Sequence, residues 1–284
     1  MSIGLTEAHI LARQMSNALC GKRVKSYALQ ECEKLQRIGF LNKDTKSFDQ
    51  VIGAEIKSVT SRGTVIRVEF SHEMNLLLAP EYGGRISYHK SSSIVHQKLH
   101  LRVDFSDNTT LVVRLVRMGV ILALKDDKLP RSYVYRRDFL SEDLSPIDDK
   151  EFTFERFSER LASRKDLMKS LLVGKNSIVV GLGNSAYQDI IFRAGIHPRK
   201  KASDLGKEEK QALYDAMKLV FSERIRLGGK GQFFDLHGNQ GHYASPMGPH
   251  TKTCLECGTR IEVLSIGGGQ TYFCPKCQEP KKPE

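Results

Sequence analysis

The sequence predicts an α+β protein of more than one domain: an N-terminal helix with an antiparallel β-sandwich, then a helical domain, then a small hairpin closed by cysteines. Three observations carry this. Apolar residues recur first at helical spacing, then alternate through short β-branched segments, then return to helical spacing. A polar stretch with Pro130 and Pro146 separates strands from helices. Two Cys-x-x-Cys pairs lie near the end.

The first element spans Thr6 to Leu19, with Thr6 as candidate N-cap and Ala8, Leu11, Met15 and Leu19 on one apolar stripe. From Lys22 to about Leu124 the segments VIRVEF, NLLLAP, LHLRVDFS, TLVVRLV and VILALK read as strands, and SDNTT supplies a hairpin turn. Successive strands joined by short turns favour an antiparallel sandwich or barrel. Helices are expected over Phe154 to Ala162, Asp166 to Leu172, Ser185 to Ala194 and Lys207 to Arg226. In the last of these Leu213, Met217, Val220, Phe221 and Ile225 form a core stripe. The Gly-rich stretch GGKGQFFDLHGNQGHYASPMGPH reads as a long loop between the helices and the terminal module, and such loops are often functional. The expected domains are 1–130 (helix and sandwich), 131–150 (connection), 151–245 (helical) and 246–284 (metal hairpin).

The chain has 284 residues, and 44 Lys and Arg against 33 Asp and Glu leave a formal charge of +11. A balance this basic favours a polyanionic partner, nucleic acid before membrane. No apolar run reaches the roughly 20 residues of a membrane span, and the N-terminal residues lack the features of a signal peptide, so a cytoplasmic protein is expected, nucleoid-associated if bacterial. Of the six cysteines, Cys20 and Cys32 read as small buried hydrophobes. The other four, Cys254, Cys257, Cys274 and Cys277, have the spacing of a closed structural zinc site. One zinc ion is expected, stapling a hairpin of TRIEVLS, a turn at Gly267 to Gly269, and QTYF.

Gly181-Leu182-Gly183-Asn184 reads as a tight turn before a helix, a backbone arrangement that attracts anions. Arg193, His197, Arg199, Lys200 and Lys201 follow closely and suit a phosphate backbone. An ordinary capped helix with a solvated basic end fits these residues equally well.

Together, the run Val180 to Pro198 and the cysteine hairpin resemble the helix-two-turn-helix motif and zinc finger of the formamidopyrimidine-DNA glycosylase and endonuclease VIII family. The resemblance implies a monomeric base-excision repair protein that binds duplex DNA at damaged or abasic nucleotides. It implies phosphate contacts from Gly183 and Asn184, with the zinc hairpin, near Gln270, clasping the same strand. It also places wedge residues at Tyr82, in PEYGG, and at Arg117 and Met118, in RLVRMGV where the family commonly has Arg-Arg-Phe.

The chain departs from the family where chemistry is expected. The family's nucleophilic N-terminal Pro is absent, Gly4 stands where its catalytic Glu belongs, and Thr64 falls at its hairpin Lys. Removal of Met1 would leave the α-amine of Ser2, partly neutral at physiological pH and able to attack a sugar aldehyde carbon. Glu7 is the nearest carboxylate for proton transfer, or else it complements the helix dipole. The expected activity is a DNA glycosylase with AP-lyase chemistry through that amine; the alternative is a catalytically silent lesion binder of the same fold. An RNA-binding module reusing the zinc hairpin is a third reading, opposed by the Gly turn, Asn and helix in combination.

Overall fold

The computed structural model describes residues 3–81, 83–91, 98–116, 118–162, 164–174 and 176–279. Two compact units emerge, Met1–Ser141 with Gly228–His242, and Glu142–Leu227 with Tyr243–Glu284.

In the first unit, helix α1 spans Leu5–Leu19 with Gly4 as N-cap. Thr6 does not cap it. Glu7 does, accepting the Gly4 N–H at 3.0 Å, while Thr6 is buried in the first turn. Strand β1 (Val24–Leu29) precedes the short helix α2 (Cys32–Arg37). Seven more strands follow: β2 (Ile56–Arg62), β3 (Val65–Phe70), β4 (Met74–Ala79), β5 (Arg85–His89), β6 (Leu101–Phe105), β7 (Thr110–Arg114) and β8 (Val120–Lys125). They form two antiparallel sheets of four strands, ordered β1-β6-β7-β5 and β2-β3-β4-β8. Ile66, Val68 and Phe70 of one sheet share a core with Leu101, Val103 and Phe105 of the other, as the period-2 alternation requires. Ala8, Leu11, Met15 and Leu19 of α1 join that core. The SDNTT turn forms as expected between β6 and β7, with Asn108 in the left-handed region at φ 66°.

Every residue of β4 is buried, because the sheet is covered on both faces. The second cover corrects the expectation of a bare connection after residue 130. A 3-10 turn (Asp126–Arg131) and α3 (Tyr133–Asp138) lay Leu129 and Val134 on Val65, Leu77, Ala79 and Val120. Leu129 and Val134 are apolar residues in a polar stretch, and composition averaged over the stretch hides them.

The Gly-rich segment also departs from expectation, since Gly228–His242 folds with the sandwich. Phe233 and Leu236 enter the core. Gln14 Nε2 donates to Asp235 Oδ2 at 2.8 Å, and the Leu236 N–H donates to Gln14 Oε1 at 3.0 Å. Burial alone would push the Asp235 carboxyl up, but hydrogen bonds from Asn239, Gln14 and the His237 N–H hold it below the ordinary value. A Cβ on Gly241 would stand 2.4 Å from Gly229 O, so this close backbone approach requires glycine.

The second unit contains α4 (Phe154–Leu161), α5 (Met168–Val173), α6 (Asn184–Arg193) and α7 (Lys207–Arg226), then the hairpin of β9 (Glu262–Ile266) and β10 (Gly269–Phe273). Leu213, Met217, Val220 and Phe221 of α7 are buried as their spacing predicted. Asp189 is fully buried on α6, where Arg224 donates to it at 2.6 Å, Ser245 at 2.6 Å and Tyr243 at 3.2 Å. Burial pushes its carboxyl up against the pull of Arg224 and these hydrogen bonds. Among the described residues no helix is long and apolar enough to cross a membrane.

Candidate nucleic-acid interface

The four cysteines meet. Their Sγ atoms all lie within 4.8 Å of one another, with Cys254 to Cys277 at 3.8 Å and Cys257 to Cys274 at 3.5 Å. Zinc–thiolate bonds of about 2.3 Å in a tetrahedron put sulfurs roughly 3.8 Å apart, so the donor set fits one structural zinc ion. The backbone shapes each knuckle: Gly258 N–H donates to Cys254 O at 2.9 Å, and Cys277 N–H to Cys274 Sγ at 3.4 Å. Phe192, Met247 and Ile261 pack beside Cys254 and Cys274, a core too small to hold the hairpin alone.

Above the knuckles, Gly267 and Gly268 both take positive φ, at 56° and 76°, and pair Gly269 with Ile266. This two-residue turn demands glycine-like backbone and matches the twist of the strands. Gly269 therefore belongs to β10 rather than to the turn. Three side chains fasten the strand to the helices. Lys169 of α5 donates from Nζ to Gly269 O and Thr271 Oγ1, both at 3.0 Å; Tyr272 N–H donates to Gln188 Oε1 at 3.2 Å; Asn184 Nδ2 donates to Gln270 O at 3.0 Å. Burial pulls the Lys169 ammonium below its ordinary value.

Asn184 and Gln270, separate in sequence, thus touch. The helix begins one residue earlier than expected, at Asn184, with Gly183 as N-cap and no side chain capping it. Its first N–H groups have no intrahelical acceptor, and the positive end of the dipole points the same way. Gly183 is exposed, has φ −95° and ψ 164°, and a Cβ there would meet nothing within 4 Å. Neither strain nor packing within the chain asks for glycine at this point. Of the expected basic group, Arg193 is spent on Glu223 and Lys200 on Glu209, each at 2.7 Å.

In the first unit, Glu7 is fully buried. Besides Gly4 N–H it accepts the Lys230 N–H at 3.4 Å and faces Lys230 Nζ at 3.6 Å. Thr64 sits in a closed network. Its N–H and Oγ1 donate to Asp138 Oδ2 at 2.8 and 3.2 Å, and Arg137 donates to Thr64 Oγ1 at 2.7 Å. Arg137 also grips Asp138 through two bonds, of 2.5 and 3.0 Å, and lies 3.7 Å from Glu81. Met118 is 45% exposed. Ser2, Tyr82 and Arg117 lie outside the described residues.

Sequence reading missed Lys169, Gln188 and the Arg137–Asp138 pair. A lysine inside the short apolar run MKSLLV was a usable signal for the first. The others are ordinary polar residues whose further partners, Tyr272 for Gln188 and Thr64 for the pair, lie far away in sequence.

The family model for the "Formamidopyrimidine-DNA glycosylase N-terminal domain" matches residues 4–120, the "Formamidopyrimidine-DNA glycosylase H2TH domain" matches 144–235, and the "Zinc finger found in FPG and IleRS" matches 252–280. The chain belongs to the formamidopyrimidine-DNA glycosylase and endonuclease VIII family. Formamidopyrimidine-DNA glycosylase of Streptococcus pneumoniae is 27% identical over 282 residues, covering 96% of this chain and 98% of that protein. The Bacillus subtilis protein of the same name is 27% identical over 289 residues, covering 98% and 99%. Among solved structures, the Lactococcus lactis Fpg complex with abasic-site DNA superposes with a TM-score of 0.83 at 21% identity, covering 98% of this chain and 100% of that one. A MutM complex with DNA containing carbocyclic 8-oxo-G gives 0.81 at 22% identity, with the same coverage. The family's order of sandwich, helix-two-turn-helix and zinc finger is the order found here.

Proposed function

We propose that this protein is a DNA-repair glycosylase that binds duplex DNA at damaged or abasic nucleotides. The observation that carries the reading is the juxtaposition of the uncapped start of α6 with the tip strand of the zinc hairpin, joined by the Asn184 to Gln270 hydrogen bond. Free N–H groups at a helix start donate to a phosphate, and a glycine without a structural reason leaves room for that phosphate to approach. Such contacts position a backbone without reading sequence, so binding weakens steeply with salt. Relatives named formamidopyrimidine-DNA glycosylase, and solved structures holding abasic-site or lesion DNA, support the substrate class. Extruding a nucleotide is cheapest at damaged pairs, which adds selectivity.

For the chemistry we assign the α-amine of Ser2, after removal of Met1, as nucleophile at the sugar C1′: the new C1′–N bond replaces the bond to the damaged base, which departs, or at an abasic aldehyde forms an imine with release of water. Glu7, occupied by Gly4 and Lys230, fixes the start of α1. Trapping tests this: borohydride reduction with abasic-site duplex should link the native chain covalently to DNA, and a variant retaining Met1 should not link. The silent-binder reading draws on Thr64, whose network with Asp138 and Arg137 holds no free amine, and on Gly4 in place of a carboxylate. Tight binding of abasic DNA with no trapped species would establish that reading instead. The domain division we favour puts DNA phosphate binding on residues 142–227 and 243–284.

A further inference from the structure

The first unit carries a cleft of about 210 Å3 whose lining, apart from the wedge candidate Met118, none of the assignments above uses. Its floor is apolar, formed by Leu35, Phe40 and Leu115, and its lip carries Ile38, Val116 and Met118. Those three are 48%, 53% and 45% exposed. Single exposed apolar side chains need no explanation, but several gathered at one concavity mark a binding surface.

The opposite wall is charged. Lys34, Lys98 and Arg114 bring three cations against one carboxylate, Glu31. Glu31 stands 4.0 Å from Lys98 Nζ and 3.9 Å from His100 Nε2, and its backbone is left-handed at φ 53°, a conformation that side chains with a Cβ seldom adopt. His100 accepts the Leu115 N–H on Nδ1 at 3.0 Å. In its neutral form the ring therefore carries its proton on Nε2, as a donor on this wall.

A ligand that satisfies both walls has an apolar body joined to an anion. The volume exceeds that of a few waters at about 30 Å3 each and falls short of the roughly 300 Å3 at which drug-sized pockets begin. A single nucleobase with its phosphate meets all three conditions. We infer that this cleft receives one unpaired nucleotide, its base against Phe40 and Ile38 and its phosphate on Lys34, Lys98 and Arg114. The inference rests on the DNA reading above for the source of the nucleotide. Base stacking on apolar and aromatic side chains tolerates any sequence, and the cations track the backbone.

Fluorescence anisotropy tests it with two duplexes containing a stable abasic analogue, identical except for one extra unpaired nucleotide opposite the analogue. The native chain should bind the second duplex about tenfold more tightly, the gain expected from one stacked base. That ratio should fall to near one in Lys98→Gln/Arg114→Gln and separately in Ile38→Ser, which keeps every charge. Asn184→Ala should weaken both duplexes and keep the ratio. A native ratio near one, or a ratio preserved in both cleft variants, overturns the inference alone. Failure of the native chain to bind either duplex overturns the DNA reading, and the inference with it.

Discussion

Replacing Lys169 with Met tests how the zinc hairpin is held. The long unbranched stem survives in methionine, so packing against Gly267 is kept while the ammonium is lost. Lys169 is 4% exposed and Thr271 is fully buried, so water cannot take over the abandoned acceptors without moving β10. Two hydrogen bonds from a charged donor are worth ~1.5–3 kcal/mol each, and against that stands the cost of burying an ammonium, several kcal/mol per ion. The net expected loss is about 2 kcal/mol, equivalent to a fall in melting temperature of roughly 6–10 °C for a unit of this size. Calorimetry of the zinc-loaded chain reads the shift, and amide exchange across Gly269–Phe273 should accelerate with it. Adding Thr271→Val should cost less than the sum of the two single changes, because the variants share one bond. A melting temperature unchanged within 2 °C, with unchanged exchange, would refute the anchoring argument.

Three further outcomes are expected. Asn184→Ala should lower affinity for abasic-site duplex about tenfold, ~1.4 kcal/mol, equally across sequences, since the contact is to backbone; a loss confined to one sequence contradicts it in a titration series. Glu7→Gln leaves Lys230 facing a neutral amide and should destabilise the first unit by ~3 kcal/mol in urea unfolding, and a cost below ~1 kcal/mol would mean the pair is solvated. Acidification should weaken the fold, because His9, His89, His100 and His197 all lie below the ordinary imidazole value of 6.5, with burial the first cause and a neighbouring arginine adding to it. An imidazole held neutral in the fold takes its proton more readily when unfolded, so stability is complete above pH 6.5 and lost as pH falls through the folded values; a flat urea midpoint between pH 7.5 and 5 contradicts this.

Legibility followed distance along the chain. The cysteine spacing, the turn before α6 and the alternation of β3 and β6 are relations among near neighbours, and each could be read directly. The wedge candidates were placed by resemblance alone, and Tyr82 and Arg117 lie outside the described residues. Thr6 was misread as a cap because the carboxylate three residues after Gly4 takes that role. The polar averages of 126–141 and 228–242 concealed Leu129, Val134, Phe233 and Leu236, since a few apolar side chains suffice to dock a segment once a complementary surface exists.

The sequence by itself determined the class of protein: a sandwich, a glycine turn opening a helix, and a zinc-held hairpin, all written in local periodicity and spacing. Only the tertiary structure decided that Asn184 meets Gln270 across 86 positions, that Lys169 reaches Gly269 across 100, and that Leu236 returns to Gln14 across 222. Such contacts depend on where the chain comes back to itself, and that is fixed by the shared burial of many residues at once rather than by any short stretch.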